Sequence, residues 1–116
     1  MSFERGDVIY LDFLIPGNSR FENHPALIIS NANVFDADEI YHCVMITHSE
    51  LNSMFSFELR DEMFNKYPIP EGSIKAHLIA YVQERHINSR VINHMKKVYV
   101  DRVVDFITDT VFKNWD

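Results

Sequence analysis

The stretch RGDVIYLDFLIPGNSRFENHPALIIS, residues 5–30, decides the fold because it contains two strand-like runs on either side of a polar segment. Residues 8–13 and 26–29 are rich in β-branched and aromatic side chains, which suit a half-buried pleated surface. The segment between them, residues 16–25, is too long for a tight hairpin turn. We therefore predict a strand, an irregular loop and a second strand, with the loop as the first place to look for a functional surface.

The strand pattern continues beyond this stretch. Residues 41–47 are almost continuously apolar and predict a third strand that is covered on both faces. Residues 54–59 alternate well enough for a fourth strand, and residues 76–83 predict a fifth. Residues 96–100 are compatible with one more short strand. Residues 60–72 mix acidic residues, Asn, Pro and Gly, so we expect a loop there.

Helical structure is expected mainly at the end of the chain. Residues 31–39 are polar and predict a connection with at most one helical turn, and residues 88–95 fit a short helix or a turn. Asp101 has the side chain of a helix N-cap, and the helix would run from there to about Lys113. An apolar stripe at helical spacing is formed by Val103, Val104, Ile107 and Val111.

Five or six short strands and a terminal helix in 116 residues predict a single domain over residues 1–116. The fold class is mainly β (α+β), a small antiparallel β-barrel or curled sheet with a C-terminal α-helix packed at one side. A hydrophobic fraction of 47% and a charged fraction of 24% are those of an ordinary globular chain. Cys43 is the only cysteine and lies in an apolar run, so it is expected to be a small core residue.

The net charge of −6 opposes bulk attraction to nucleic acid or to an anionic membrane. Any phosphate-binding site must therefore be a local patch. The first residues contain no apolar signal-peptide core, and no uncharged apolar run is long enough to span a bilayer. We expect a cytoplasmic protein without a membrane partner.

Polar side chains near strand ends are the remaining candidates for chemistry. The six histidines show no His-x-x-x-His spacing and no cluster with cysteine, so we expect no metal site and no cofactor. Cleavage of an RNA phosphodiester without a metal needs a base, an acid and groups that stabilise charge on the phosphate. Histidine can act as acid or base near neutrality, and arginine offers a planar fork for phosphate.

In a small barrel, the ends of several strands can converge on one rim. Taken singly, each polar residue there is also explained as an ordinary surface or core side chain. The candidates for such a rim are His24, Thr47, His48, Gln83, Arg85 and His86.

The opening stretch resembles the MazF/PemK toxin family, whose members begin with a strand of the type GDIVWVDF and continue, after a polar loop, with a basic residue and PALVIS. Here residues 6–13 read GDVIYLDF and residues 24–30 read HPALIIS. Farther along, residues 46–47 resemble the Ile-Thr at the end of the family's third strand. Residues 83–87, QERHI, resemble its Gln-Ile-Arg-Thr-Ile, so the resemblance spans most of the chain.

This resemblance implies a compact SH3-like barrel, a homodimer, and metal-independent endoribonuclease activity on single-stranded RNA that a cognate antitoxin controls. It places His24 where the family usually has a catalytic arginine, and Thr47 at its phosphate-contacting threonine. His24 and Thr47 are therefore the predicted catalytic residues, although an imidazole lacks the permanent charge and the fork of a guanidinium. The residues predicted to bind the substrate are Arg20, Phe21, Asn23, His48, Gln83, Arg85 and His86.

Two other functions stay open at this point. The same barrel can serve as a non-catalytic module, either a degenerate toxin or a protein that binds another protein, as the related gyrase-poisoning toxins do. The charge of −6 and the histidine at position 24 favour that alternative. The second is a generic interaction domain without toxicity.

Overall fold

The computed structural model describes residues 1–48 and 53–114. Within those ranges, six strands form one antiparallel sheet in the order β4-β5-β3-β2-β1-β6. The edge strands β4 and β6 are not paired with each other, so the hydrogen-bonded sheet does not close. The strands are β1 (Asp7–Leu14), β2 (Phe21–Ile28), β3 (Ile40–Thr47), β4 (Ser56–Glu58), β5 (Ser73–Gln83) and β6 (Asn93–His94).

Two α-helices accompany the sheet. The first, α1 (Ala32–Asp38), connects β2 to β3, and the second, α2 (Lys97–Ile107), follows β6 and continues into a π-helical turn, Thr108–Phe112. Single 3₁₀ turns occur at Asp61–Met63 and Glu84–His86. The predicted class is confirmed as mainly β with a C-terminal helix, in an open sheet. No helix in the described part of the chain is long and apolar enough to cross a membrane.

Each face of the sheet carries a core cluster, because successive side chains of a strand point to opposite faces and both sets contain apolar residues. One core cluster joins strand residues such as Val8, Leu27 and Val44 to the buried side of α2. Val103 and Ile107 of the predicted stripe are buried in it, and Val104 and Val111 pack against it. The stripe is therefore confirmed.

A second core cluster covers the other face and includes Ile9, Ala26 and Tyr41. Phe3 and Phe35 pack against Tyr41 from the N-terminal segment and from α1. Cys43 is fully buried in this cluster, and that burial raises the pKa of its thiol to about 12. The prediction that Cys43 is a core residue is confirmed.

Residues 96–100 are not a strand, and Asp101 is not an N-cap. The helix begins at Lys97, with Lys96 at the cap position and no side-chain cap. The local sequence favours a strand, but burying Val100 with Val103 and Ile107 at helical spacing overrides that propensity. Asp101 instead accepts hydrogen bonds from Lys97 Nζ at 3.0 Å and Arg5 Nη2 at 2.8 Å, which lower the pKa of its carboxyl.

Several boundaries also differ from prediction. The connection after β2 contains α1, which is longer than the single helical turn expected. The side chain of Asn31 caps the start of α1, since it accepts hydrogen bonds from the backbone N–H groups of Asn33 and Val34. The fourth strand is shorter than residues 54–59, and residues 88–95 are not a helix but end in β6. The opening loop is shorter than expected, since β2 starts at Phe21. His24 therefore lies on a strand, where its backbone is held in register.

Candidate functional site

His24 and Thr47 lie on neighbouring strands, β2 and β3. The pairing of β2 with β3 ends at Ala26 and Met45, and His24 and Thr47 lie two residues beyond that pair on their strands. The pairing of the two strands thus brings the two residues predicted to be catalytic close together.

A carboxylate orients the His24 ring. Glu22 is two residues earlier on β2, so it shares the face of His24, and its Oε1 lies 3.1 Å from His24 Nε2. The other oxygen, Oε2, accepts a hydrogen bond from Arg20 Nη2 at 3.1 Å. The side chain of His24 is 19% exposed, whereas that of Arg20 is 75% exposed. The arrangement holds an accessible imidazole in one orientation beside a solvated guanidinium.

His24 and Thr47 both line two cavities. One, which we call the loop-side cavity, has a volume of about 500 Å³ and is bounded by residues 66–71, with Tyr10, Pro25 and His48 also in its wall. The other, the β5-side cavity, has a volume of about 370 Å³. Its wall includes Glu22, Met45, Lys75, His77 and Leu78. The two residues therefore lie between two open spaces.

The wall of the loop-side cavity is held by one buried amide. Asn93 is 1% exposed, and its Nδ2 donates to the carbonyls of Lys66 at 3.0 Å and Pro68 at 3.4 Å. Its Oδ1 accepts from the backbone N–H groups of Lys66 and His94. This side chain stands in for backbone pairing and fixes the loop against the sheet.

Asn93→Asp is expected to destabilise the protein by about 1–3 kcal/mol, because the carbonyls of Lys66 and Pro68 would lose their donor and face a carboxylate. Urea unfolding followed by circular dichroism measures the loss. Asn65→Asp adds the same charge at an exposed neighbouring residue and is the matched control. Equal unfolding free energies for the two variants would contradict the role given to Asn93.

The other predicted residues of the first strand pair lie beside this site. Arg20 and Phe21 are exposed where the hairpin turns into β2, with Phe21 65% exposed. Asn23 points to the opposite face of β2 from His24 and donates to Asp12 Oδ1 at 3.0 Å. His48 follows Thr47, is exposed, and has its Nε2 3.1 Å from Glu71 Oε2. Arg20 and His48 are thus accessible beside His24 or Thr47, whereas Phe21 and Asn23 are accessible on the other face of β2.

Gln83, Arg85 and His86 do not join this group. In the register of β3 with β5, Thr47 pairs with Ser73, whereas Gln83 pairs with Ile40 at the other end of β3. The seven-residue separation along β3 corresponds to about 23 Å. The expectation that these strand ends converge with His24 on one rim is therefore wrong within one chain. Arg85 cannot share a phosphate with Thr47 of the same chain.

The surroundings of Gln83 and Arg85 are acidic. Arg85 Nε donates to Gln83 Oε1 at 2.8 Å, and the adjoining cavity is otherwise lined by Asp38, Glu39 and Glu84. Glu84 Oε1 accepts the hydroxyl of Tyr41 at 2.7 Å. Burial and this hydrogen bond raise the pKa of Tyr41 to about 12. Substrate binding by Gln83, Arg85 and His86 stays a prediction.

Two residues of the β5-side cavity were not predicted from the sequence. Lys75 is 5% exposed, and His77 stacks on Phe55 with ring centroids 4.4 Å apart. Both sit in the run SIKAHLIAYV, where Lys75 interrupts an otherwise apolar strand start. The sequence signal that could have identified this part of the site is a lysine within an otherwise apolar strand.

One group of three potential metal ligands occurs among the described residues, away from His24, and consists of Glu4, Asp7 and His94. His94 Nδ1 lies 2.8 Å from Asp7 Oδ1, and Asp7 Oδ2 accepts the backbone N–H of Glu4. These hydrogen bonds join the turn before β1 to β6. The cluster is therefore explained by a structural role. The absence of a metal in the proposed chemistry stays a prediction.

The fold is shared with solved toxin structures. MazF from Deinococcus radiodurans superimposes with a TM-score of 0.73 at 14% identity, over 94% of this chain and 96% of that one. An endoribonuclease from Mycobacterial species in complex with its cognate antitoxin gives 0.70 at 14% identity, over 97% of this chain and 98% of that one. At such identities the likeness concerns the fold. No curated protein matches this chain significantly in sequence.

The family model of the PemK-like, MazF-like toxins of type II toxin-antitoxin systems matches residues 4–109. That range contains the whole sheet, α2, and both His24 and Thr47. The chain therefore belongs to the PemK/MazF toxin family of type II toxin-antitoxin systems.

Proposed function

We propose that this protein is a toxin that cleaves single-stranded RNA as a metal-independent endoribonuclease. The observation that carries the proposal is that His24 and Thr47 line the same two cavities. An open site between two cavities suits an extended strand that must pass through it. An oriented imidazole close to a hydroxyl suits acid–base chemistry on a phosphodiester.

In the proposed reaction, the 2′-oxygen of the substrate attacks the adjacent phosphorus, and the 5′-oxygen of the next nucleotide leaves. His24 takes the proton of the 2′-hydroxyl while water protonates the leaving 5′-oxygen, or His24 protonates that oxygen while water takes the first proton, because a neutral imidazole accepts a proton and an imidazolium donates one. Glu22 keeps the ring oriented at 3.1 Å and balances the charge that the ring acquires. The products are a 2′,3′-cyclic phosphate and a 5′-hydroxyl.

Thr47 would donate its hydroxyl hydrogen to a non-bridging oxygen of the phosphate. Arg20 and Phe21 are proposed to contact flanking nucleotides, since a solvated guanidinium attracts phosphate and an exposed ring offers a stacking surface for a base. His48 is accessible for hydrogen bonds to the same strand, and Asn23 would contact a nucleotide that passes to the other face of β2. In this proposal, the segment from the loop into β2 forms one edge of the RNA-binding surface.

We propose a cognate antitoxin as the protein partner and a homodimer as the working form. The antitoxin proposal is supported by family membership and by two structural relatives. One solved structure contains MazF of Deinococcus radiodurans with MazE, and another contains the Mycobacterial endoribonuclease in complex with its cognate antitoxin. In this chain, the antitoxin would cover the groove at His24 and keep RNA out.

The proposal is tested with purified protein and a mixed-sequence single-stranded RNA in the presence of EDTA. We expect discrete fragments whose 3′ ends carry a 2′,3′-cyclic phosphate, detected by mass spectrometry. Double-stranded RNA of the same sequence is the control and should stay intact. An RNA pool that remains uncut at high enzyme concentration would refute the ribonuclease function.

The charge of −6 favours a second candidate, a non-catalytic toxin-fold module that binds a protein. The exposed apolar pair Leu14 and Phe21, which face each other across β1 and β2, offers a surface for such a partner. Growth arrest on expression, without any RNA cleavage in the cells or with the purified protein, would select this candidate. RNA cleavage that accounts for the arrest would exclude it.

A further inference from the structure

Glu4, Asp7 and His94 bring three metal-type ligands together where the turn before β1 meets β6. One ligand atom from each residue lies within 4.8 Å of the other two. His94 Nδ1 is 2.8 Å from Asp7 Oδ1 and 3.9 Å from Glu4 Oε1. Nitrogen and oxygen ligands of one tetrahedral zinc ion are about 3.3 Å apart, since each lies about 2.0–2.2 Å from the metal. The observed separations lie on either side of that value, so a small movement of the Glu4 side chain would complete a metal site.

Two of the three ligands are held in place by their surroundings. The turn is closed in both directions, because the N–H of Asp7 donates to the carbonyl of Glu4 at 3.0 Å and the N–H of Glu4 donates to Asp7 Oδ2 at 2.9 Å. The carbonyl of Gly6 accepts the N–H of Met95 at 2.8 Å, which joins the turn to the residue after β6. A Cβ on Gly6 would lie 3.0 Å from Cε1 of His94, so the imidazole packs directly on the Gly6 backbone. Asp7 Oδ1 and His94 Nδ1 are therefore preorganised.

The two carboxylates have no strongly basic partner. In the described part of the chain, Glu4 and Asp7 form ion pairs with His94 and with no lysine or arginine. Arg5 lies between them in the sequence, but its Nη2 contacts Asp101 Oδ1 at 2.8 Å instead. Asp7 is 7% exposed, and buried charges in proteins are normally paired or coordinate metals. Two carboxylates that face one imidazole leave an excess of negative charge, which a divalent cation would neutralise.

We propose that Glu4, Asp7 and His94 bind a divalent transition-metal ion of the zinc class. An imidazole ligand favours zinc over Mg²⁺ and Ca²⁺, which prefer oxygen ligands alone. The ion uses the lone pair of Nδ1, so the hydrogen of the neutral ring lies on Nε2 in the bound form. Water takes the remaining position, because the side chain of Glu4 is 69% exposed and leaves the site open to solvent.

The bound ion would strengthen the structural role of this cluster. It would bridge the turn before β1 and β6, which the hydrogen bonds between the same residues already join. The spacing of the histidines gives no sign of this site, because Asp7 and His94 are 87 residues apart in the sequence. The site lies away from His24, and the inference does not rest on the proposed ribonuclease function.

A hydrogen-bonded link that never holds an ion is the competing explanation. Such a link depends on Asp7 and His94 but not on the side chain of Glu4, whose Oε1 is too far from Nδ1 for a hydrogen bond. Glu4→Gln therefore removes a metal ligand and leaves the link intact. Glu58→Gln is its matched control, since it removes the same charge from an exposed residue of β4.

The experiment uses untagged protein that has been stripped of metal with EDTA and then dialysed. Binding of Zn²⁺ and of Mg²⁺ is measured by isothermal titration calorimetry, and the melting temperature is followed by circular dichroism. We expect one zinc ion per chain and a melting temperature that rises with zinc concentration, because the ion binds only the folded chain. Mg²⁺ should bind more weakly than Zn²⁺.

Glu4→Gln and His94→Gln are each expected to weaken zinc binding by at least about 10- to 100-fold, the loss seen when only a group that orients a ligand is removed. Glu58→Gln and His86→Gln should bind zinc as the wild-type protein does, since neither residue belongs to the cluster. If His94→Gln does not fold, Glu4→Gln decides alone, because its exposed side chain contributes no hydrogen bond to the link.

Three results would overturn the proposed metal site. They are the absence of zinc binding by the folded wild-type protein up to millimolar zinc, equal zinc affinities of Glu4→Gln and Glu58→Gln, and tighter binding of Mg²⁺ than of Zn²⁺. The ribonuclease function is tested separately by cleavage in EDTA, so failure of one proposal is distinguished from failure of the other.

Discussion

His24→Ala is expected to lower the RNA cleavage rate by about 10²- to 10⁴-fold, the usual contribution of a positioned acid or base. The imidazole lies on β2, lines the same two cavities as Thr47 and is oriented by Glu22 at 3.1 Å, so no neighbouring group on β2 can replace it without a change in the strand. The rate is measured on a short fluorescent RNA that contains a mapped cleavage site. Binding of an RNA with 2′-O-methyl groups, which cannot be cleaved, is expected to persist, because the phosphate contacts from other residues remain.

His42→Ala is the matched control for this experiment. His42 lies on β3 near Tyr81, five residues before Thr47, and takes no part in the proposed site. A cleavage rate for His24→Ala that equals that of His42→Ala would show that His24 transfers no proton in the reaction.

His24→Arg separates proton transfer from charge at the same position. A guanidinium stays protonated at every working pH, so it can contact phosphate but cannot act as a base. We expect the limb of the pH profile of kcat/KM that reports His24 to disappear in this variant, while RNA binding is retained. A pH profile that keeps both limbs would assign proton transfer to another residue.

Gly72→Ala is expected to destabilise the protein by at least about 3 kcal/mol, because it combines backbone strain with a steric clash. Gly72 has φ of +102°, and a Cβ there would lie 2.1 Å from the carbonyl oxygen of Thr47 and 2.9 Å from the backbone nitrogen of His48. Relief of the clash requires the end of β3 to move. Cleavage activity should therefore also be lost at temperatures where the variant is still folded.

Gly17→Ala is the matched control, since Gly17 also has a positive φ, +85°, but a Cβ there meets nothing within 4 Å. Only the conformational cost remains, about 1–2 kcal/mol. Urea unfolding of the two variants measures the difference, which reports the close approach of Gly72 to Thr47. Equal losses of unfolding free energy would mean that the end of β3 moves away from the added Cβ without a cost in stability.

The strands of the opening stretch and the apolar stripe of α2 could be predicted from the sequence, because periods of two and of 3.6 residues are local patterns. The beginning of α2 could not. Residues 96–100 have strand-like side chains, and they are helical because Val100 packs into a core that the sheet supplies. The start of β2 was also missed, since the pairing of Phe21 with Leu14 is not visible in either segment alone.

Short sequence blocks that resemble the toxin family were enough to select His24 and Thr47 as candidates. Lys75 was not selected, because a lysine in an apolar strand indicates only a break in the apolar pattern. Its burial and its bond to Ser56 are known from the structure alone. Gln83 and Arg85 looked equivalent to Thr47 as strand-end residues. The register of β5 on β3 separates them.

The amino-acid order alone therefore determined a mainly β domain with one terminal amphipathic helix, and the two polar residues that its neighbouring strands bring together. The tertiary structure decided which strand ends meet, because strand order and register depend on contacts between residues that are far apart in the chain. Those contacts remove Arg85 from the end of the sheet where His24 and Thr47 lie. They put Lys75 in the cavity beside His24.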